Sequence, residues 1–164
     1  MGMEIERKFL VDADKWWSFV AIQVLPMKGV QYRQGYLTPE HTSGAATVRV
    51  RVAEDKAYLT IKGETKGLTR PEFEYPIPVG DAKYMLGHLC GEALVEKTRY
   101  KPHYQGVLWE VDVFQGANKP LIVAEVELKS ETQAFIKPSW VTHDVSDRPE
   151  FTNVRLARHP YSKW

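Results

Sequence analysis

The sequence lacks most of the features that mark an extracellular or membrane protein. It contains one cysteine, Cys90, in 164 residues, which excludes a framework of intrachain disulfides, and such frameworks are typical of small secreted domains. No apolar run approaches the roughly 20 residues that a membrane-spanning helix needs, and no signal-peptide pattern precedes the first strand. We therefore predict a cytoplasmic location and no membrane partner.

A surplus of charge of either sign is also missing. The 22 Lys and Arg residues balance 21 Asp and Glu residues, which leaves a formal net charge of +1. Proteins that bind nucleic acid through its phosphates usually carry a clear positive surplus, so we expect no nucleic-acid partner. Because the opposite charges nearly cancel, their placement along the chain matters more than their sum.

Strand-like alternation of apolar and polar residues recurs about eight times. Short turns with Gly, Pro, Asn or Asp separate most of these segments, and short connections favour antiparallel hairpins over crossover units. No internal repeat or linker marks a second domain, so residues 1–164 are predicted to form one domain. The predicted strands are residues 4–11, 30–37, 46–53, 56–63, 69–77, 95–104, 106–114 and 121–129.

Two segments have a helical pattern instead. Residues 12–23 begin with Asp12 as a candidate N-cap and place Trp16, Phe19 and Val20 on one face. Residues 79–91 are predicted to follow the same plan, and from residue 138 onward we expect short helical turns around residues 139–145 and 151–157. For the second helix the predicted features are Asp81 as N-cap, an apolar stripe of Tyr84, Met85 and Leu89, a core position for Cys90, and Gly91 as the stop.

Charged residues of one sign recur as doublets on the polar faces of the strands. Side chains alternate along a strand, so residues i and i+2 share a face, and like charges at that spacing are unfavourable unless a counter-charge lies between them. A solvated face is the commoner explanation for any single strand. The doublets are Glu4/Glu6, Arg49/Arg51, Glu72/Glu74, Lys97/Arg99, Glu110/Asp112 and Glu125/Glu127.

Taken together, the doublets favour a closed sheet with its charged faces inward. Each basic doublet then meets carboxylates across the lumen, and the apolar faces pack outward against the two helices. We therefore predict an α+β, mainly β fold: an eight-stranded antiparallel closed barrel with a charged interior. Such a lumen offers basic groups to a polyanion and carboxylates to divalent cations.

The same residues resemble the CYTH domains, also called triphosphate tunnel metalloenzymes. Residues 4–8, Glu-Ile-Glu-Arg-Lys, are similar to the family's E-x-E-x-K signature, and further motifs follow in the family's order over nearly the whole chain. The resemblance implies a tunnel that binds a triphosphate together with Mg²⁺ or Mn²⁺. The further motifs are QGYL (34–37), TVRVRV (47–52), LTIKG (59–63), RPEFE (70–74), KTRY (97–100), WEVDVF (109–114), AEVEL (124–128) and FTNVRLA (151–157).

The resemblance also implies roles for individual residues. Arg70 could equally pair with Glu72 or Glu74, which we expect to be salt-bridge partners, and Gln34 and Tyr36 are expected to support the wall. The implied metal ligands are Glu4, Glu6, Asp112, Glu125 and Glu127, with Glu110 a weaker candidate. The implied phosphate-binding residues are Lys8, Arg49, Arg51, Lys62, Arg70, Lys97 and Arg99. The implied catalytic residues are Lys8, Glu4, Glu6 and Arg51.

We predict a metal-dependent enzyme that hydrolyses a linear triphosphate, with inorganic tripolyphosphate as the first choice of substrate. Class IV adenylate cyclase, or a thiamine or nucleoside triphosphatase, is the alternative that the resemblance leaves open. A polyphosphate-binding module without turnover is the non-enzymatic alternative, although a pure anion binder has no need of so many carboxylates. Whether the chain forms a homodimer is also left open.

Overall fold

Ten strands and three helices make up the part of the chain that the structure, a computed structural model, describes: residues 2–39 and 45–164. The strands are β1 (Gly2–Val11), β2 (Val30–Tyr36), β3 (Thr47–Ala53), β4 (Lys56–Lys62), β5 (Thr69–Pro76), β6 (Leu94–Tyr100), β7 (His103–Tyr104), β8 (Val107–Phe114), β9 (Ile122–Glu127) and β10 (Val141–Asp144). The helices are α1 (Ala13–Ala21), α2 (Val79–His88) and α3 (Asn153–Arg158), with short 3₁₀ turns at Gly116–Asn118, Pro149–Phe151 and Tyr161–Lys163.

Eight of the strands close into an antiparallel barrel, as predicted. The order around the barrel is β1, β5, β4, β3, β2, β6, β8 and β9, and β9 pairs with β1 to complete the ring. The register sets basic residues of one strand beside acidic residues of the next, for example Glu4 opposite Arg70 and Lys8 opposite Glu125. The doublets that are unfavourable within one strand are therefore compensated between strands.

Two strands depart from the sequence prediction. The predicted strand 95–104 is broken after Tyr100, because Pro102 has no N–H to donate to a ladder, and β7 forms a short hairpin with β8 instead. The helical turn predicted around residues 139–145 is wrong, since Val141–Asp144 is a strand. It pairs with the end of β1, whose first residues pair with β5, and so occupies a backbone edge that would otherwise stay unpaired.

The helix α1 packs on the outer face of β1, β8 and β9. Trp16 is fully buried there against Trp140, and it lies in one apolar cluster with Phe9 and Trp109. The predicted N-cap is confirmed, because an Asp12 carboxylate oxygen accepts a hydrogen bond from the Lys15 backbone N–H at 2.9 Å. None of the helices among the described residues is long and apolar enough to span a membrane.

The helix α2 covers the outer face of β3 and β4, but not in the predicted way. It begins at Val79 after Pro78, so Asp81 lies inside the first turn and is not the N-cap. The buried residues are Ala82 and Leu86. Of the predicted stripe, Met85 is partly buried against this cluster, whereas Tyr84 and Leu89 are exposed. Ala82 and Leu86 are four residues apart and so lie on one helical face, and packing of this face against the sheet decides which positions are buried. Cys90 is buried, as expected.

The C-terminal segment fills one end of the barrel. The inward positions of the strands at this end are apolar, and Val145, Phe151 and Leu156 pack against them. The barrel residues in this layer are Tyr36, Val95, Phe114 and Val123. Val95, Phe114 and Val123 each share a strand face with a charged residue two positions away, namely Lys97, Asp112 and Glu125, so the interior is charged over only part of its length. The charged part is a cavity with one closed end.

Candidate active site

The charged part of the barrel encloses a cavity of about 260 Å³. Among the described residues, its lining includes equal numbers of basic and acidic side chains, nearly all contributed by barrel strands. The basic residues are Lys8, Arg49, Arg51, Lys62, Arg70, Arg99 and Lys101. The acidic residues are Glu4, Glu6, Glu72, Glu74, Glu110, Glu125 and Glu127. The cavity thus combines an anion-binding set with a cation-binding set.

Glu4 is held by two cations at one side of the cavity. Lys62 Nζ lies 3.0 and 3.1 Å from the two Glu4 carboxylate oxygens, and Arg70 Nε lies 2.7 Å from one of them. Burial alone would raise the pKa of Glu4, but Lys62 and Arg70 overcome it and lower that pKa to about 2. Glu4 is therefore ionised. Arg70 pairs with Glu4, and not with the alternative partners Glu72 or Glu74.

Glu6 and Glu127 are carboxyl groups whose negative charge, when they ionise, is poorly compensated by neighbouring cations. They are cross-strand neighbours of β1 and β9. Burial and the nearby Glu125 carboxylate raise the pKa of Glu6 to about 8, against the pull of Lys8, whose Nζ lies 3.9 Å away. Burial and the Glu4 carboxylate raise the pKa of Glu127, and no basic side chain of the described residues lies within ion-pair distance of it. Among the described lining residues, these two carboxyl groups therefore have the least compensation from basic side chains.

Arg49 and Arg51 form a second group on β3. One Nη of each guanidinium lies 3.2 Å from the same Glu74 oxygen, and Thr60 donates to that oxygen at 2.8 Å. The Arg51 guanidinium also lies over the Tyr32 ring, 4.9 Å from its centroid. Each guanidinium offers five N–H donors, so one shared carboxylate leaves most of them free for another anion.

Lys97 and Asp112 lie behind the cavity wall and are absent from its described lining. The Asp112 carboxylate accepts bonds from Lys97 Nζ at 2.6 Å and from Arg99 Nε and Nη2 at 2.7 Å each. Both Lys97 and Asp112 side chains are 1% exposed. Burial and the adjacent Arg99 lower the pKa of Lys97 to about 8. These two residues support Arg99 from behind the wall. The roles that the resemblance implies for them, phosphate contact for Lys97 and metal ligation for Asp112, stay predictions.

Arg99 and Lys8 remain at the cavity surface. The Asp112 carboxylate fixes the Arg99 guanidinium, which also pairs with Glu110 and lies 3.2 Å from Glu125. Lys8 Nζ lies 3.1 Å from the other Glu125 oxygen. Burial opposes ionisation of Glu125, but Lys8 and Arg99 hold its pKa well below the usual range. Glu125 therefore links the basic residues of two strands.

Several lining residues are not among the candidates predicted from the sequence. Lys101 continues the alternation of Lys97 and Arg99 and pairs with Glu110 at 2.9 Å, so its parity was a usable signal. Residues 152–154 line the closed end, and Asn153 accepts a hydrogen bond from Lys97. The sequence places these residues only within the motif of residues 151–157. No local pattern places it inside the barrel, because its contact with Lys97 spans 56 residues.

The donors suit a hard divalent cation in chemistry but are not gathered into a preformed site. Carboxylate oxygens are the ligands that Mg²⁺ and Mn²⁺ prefer, and the raised pKa values of Glu6 and Glu127 show where added positive charge would be accommodated. Among the residues that the structure describes, however, no three Asp, Glu, His or Cys side chains already converge on one point. Several of the carboxylates form ion pairs with basic side chains instead.

Comparisons with known proteins agree with this geometry. The model of the CYTH domain family matches residues 2–155. An inorganic triphosphatase of Acetivibrio thermocellus is 44% identical over 164 residues, which cover 100% of this chain and 99% of that protein. An inorganic triphosphatase of Nitrosomonas europaea is 38% identical over 157 residues, 94% of this chain and 96% of that protein. The crystal structure of an inorganic triphosphatase superposes with a TM-score of 0.64 at 34% identity, covering 96% of this chain and 95% of the other.

Proposed function

The chain belongs to the CYTH family, and from this membership we propose that it hydrolyses inorganic tripolyphosphate to pyrophosphate and phosphate. The observation that carries the proposal is the convergence of basic side chains from several strands on one cavity with a closed end. Among the described lining residues, Tyr36 is the sole aromatic one, and it belongs to the apolar layer that closes that end. The lining therefore offers contacts to phosphate groups and little to a nucleobase.

Substrate binding would exchange one set of ion pairs for another. In the empty cavity the basic groups are neutralised by carboxylates, such as Glu74 for Arg49 and Arg51, and Glu125 for Lys8. A triphosphate offers more anionic oxygens than these carboxylates and suits bidentate guanidinium contacts. The proposed phosphate-binding residues are Lys8, Arg49, Arg51, Lys62, Arg70 and Arg99, with Lys97 and Asp112 holding Arg99 in place.

The carboxylates that lose their basic partners would then carry excess negative charge beside a polyanion. We propose that Glu6 and Glu127, with Glu4 and Glu125, hold Mg²⁺ or Mn²⁺. When bound, such an ion neutralises phosphate oxygens and makes the phosphorus more electrophilic.

The chain's own residues would supply positioning and charge stabilisation. Phosphoryl transfer depends chiefly on these two effects. A water oxygen attacks a terminal phosphorus and releases a proton to solvent, the bond from that phosphorus to the bridging oxygen breaks, and the bridging oxygen leaves with the pyrophosphate. Lys8 and Arg51 lie on different strands at the cavity surface, where their N–H groups can stabilise the charge on the transferring and leaving groups.

A substrate panel tests the proposal. Tripolyphosphate, thiamine triphosphate and ATP are each incubated with the protein and Mg²⁺ or Mn²⁺, and the release of phosphate, pyrophosphate and cyclic AMP is measured. We expect the highest kcat/KM for tripolyphosphate, with phosphate and pyrophosphate as products. Cyclic AMP from ATP would instead support a cyclase, and tight tripolyphosphate binding without turnover would support a binding module.

A further inference from the structure

The closed end of the cavity is formed partly by a neutral amide. Asn153, the first residue of α3, lines the cavity, and its neighbour Val154 packs against the apolar layer behind it. Among the described residues that line the cavity, Asn153 is the one that carries a side-chain amide. It is tied to the barrel by Lys97, whose Nζ lies 3.0 Å from the Asn153 side chain.

Lys97 fixes which way this amide points. A lysine ammonium has three donors and no acceptor, so it binds the carbonyl oxygen Oδ1 and not the NH₂ group. Lys97 itself has little freedom, because it is 1% exposed and also donates to Asp112 at 2.6 Å. The NH₂ group of Asn153 is therefore directed away from Lys97, and it makes no hydrogen bond to the residues that the structure describes.

An oriented N–H donor at the closed end suits a terminal phosphoryl group. A linear triphosphate has its highest local charge at its ends, where each phosphorus carries three non-bridging oxygens. A phosphoryl group that is esterified to a nucleoside or to thiamine carries only two, and its substituent would have to enter the apolar layer formed by residues such as Phe114 and Val123. The closed end therefore favours an unsubstituted terminus.

We propose that Asn153 is a substrate-binding residue that donates from Nδ2 to the innermost phosphoryl group, and that Lys97 is a positioning residue that holds the amide. The inference rests on the proposed triphosphate site and adds a residue and an orientation to it. The substrate enters with a free terminal phosphoryl group first, and any organic substituent stays toward the open mouth.

The variant Asn153→Asp separates this role from a merely structural one. It keeps the size of the side chain and an oxygen for Lys97, but it replaces the donor by an anionic oxygen facing the phosphate. We expect kcat/KM for tripolyphosphate to fall about 100-fold, mainly through KM, and about tenfold for Asn153→Ala, as is typical for charged and neutral hydrogen bonds. The ligand-free melting temperature should change little, since the Lys97 contact is retained.

Gln105→Glu is the matched control, because it adds the same charge at an exposed turn between β7 and β8 and should leave KM unchanged.

The positioning role of Lys97 is tested by a double-mutant cycle. Lys97→Met should raise KM in the parent protein and raise it less in Asn153→Ala, where only its effect on Arg99 through Asp112 remains. Additive effects would overturn the positioning role.

The failure of this inference and the failure of the proposed function are distinguishable. If the parent protein hydrolyses tripolyphosphate and Asn153→Asp does so with an unchanged KM, Asn153 does not bind the substrate. If the parent protein neither hydrolyses nor binds tripolyphosphate in the presence of Mg²⁺ or Mn²⁺, the proposed function itself is wrong. Should Asn153→Asp fold poorly, Asn153→Ser provides the second variant, since its hydroxyl can still donate and should restore part of the affinity lost in Asn153→Ala.

Discussion

At the scale of single residues, the structure separates charges that are compensated from charges that are not. Glu4 is paired with Lys62 and Arg70 and stays ionised, whereas Glu6, two residues along the same strand, has a pKa of about 8. The difference follows from neighbours, because Glu6 faces the Glu125 carboxylate while the nearest cation, Lys8, is shared between both. The opening doublet of the sequence thus contains two carboxylates with opposite electrostatic environments.

The raised pKa of Glu6 predicts a pH dependence of stability in the metal-free protein. Its folded pKa lies above its unfolded value, so its contribution to stability is complete below about pH 4.5 and is lost as pH rises through about 8. Glu6→Gln should therefore gain free energy of unfolding relative to the parent between pH 5 and pH 9. We expect on the order of 1 kcal/mol or more, since one pKa unit corresponds to about 1.4 kcal/mol. Urea unfolding in EDTA at several pH values measures it.

The control for this prediction is Glu64→Gln, at an exposed position in the loop between β4 and β5. Surface substitutions of this kind usually change the free energy of unfolding by no more than about 0.5 kcal/mol. For Glu64→Gln, the difference in free energy of unfolding from the parent should not vary with pH. An equally flat difference for Glu6→Gln would mean that Glu6 faces solvent.

The Arg51 side chain should matter more for turnover than for folding. Arg51→Ala removes a proposed phosphate contact, and we expect kcat to fall by on the order of 10²-fold or more. Folding should survive, because its neighbour Arg49 keeps the shared Glu74 partner. Arg33→Ala is the matched control, since Arg33 lies on the outer face of β2 and pairs with exposed Glu96. Circular dichroism and a phosphate-release assay on both variants check the prediction, and normal turnover of Arg51→Ala would contradict it.

At the scale of elements, the two outer helices differ in how well the local sequence predicts where each helix begins. In α1 the capping residue and the apolar face predict the same helix. Asp12 caps the first turn, and the residues that follow it pack their apolar face against the barrel. In α2 the predicted cap, Asp81, lies inside the helix, which begins at Val79 and buries Ala82 and Leu86 against the sheet. Packing against the sheet outweighed a capping bond that stabilises a helix by only about 1 kcal/mol.

This difference predicts different effects for the same substitution. Asp12→Ala should lower the free energy of unfolding by about 1 kcal/mol, because it leaves the Lys15 N–H without its partner. Asp81→Ala should change it by no more than about 0.5 kcal/mol, as expected for an exposed side chain that is not a cap. Chemical denaturation of the two variants measures both changes. Equal losses in the free energy of unfolding would indicate that Asp81 also caps its helix.

At the scale of the whole molecule, the barrel interior balances opposite charges that must be redistributed when a ligand binds. The lining carboxylates and basic groups neutralise each other in the empty cavity. A bound polyanion upsets this balance, and divalent cations restore it. Substrate and metal are therefore expected to bind more tightly together than separately.

This coupling predicts that neither component alone stabilises the protein as much as both together. Mg²⁺ with tripolyphosphate should raise the melting temperature by mass action, by more than the sum of the shifts with each alone.

Turnover should also depend on the cation. Excess EDTA should abolish turnover, and excess Ca²⁺ should inhibit it, because the longer and looser coordination of Ca²⁺ misplaces the phosphate. Thermal-shift and turnover series with each component check this; full turnover in EDTA would exclude a metal requirement.

The sequence by itself determined which side chains share a face and that these faces point inward. The alternation in β1, β3 and β9 is a local property of extended backbone, and doublets such as Glu4 with Glu6 are tolerated only where counter-charges lie opposite. The closed eight-stranded barrel and the cap of α1 followed from such local signals.

Only the tertiary structure decided what each inward residue meets. Lys97 and Arg99 belong to one doublet, yet Arg99 reaches the cavity while Lys97 lies behind its wall against Asp112 and Asn153. The closed end likewise depends on a C-terminal segment that no periodicity places inside the barrel. The reason is physical: strand register and the packing of distant segments are set by the sum of contacts across the whole barrel, and alternation within one strand carries no information about them.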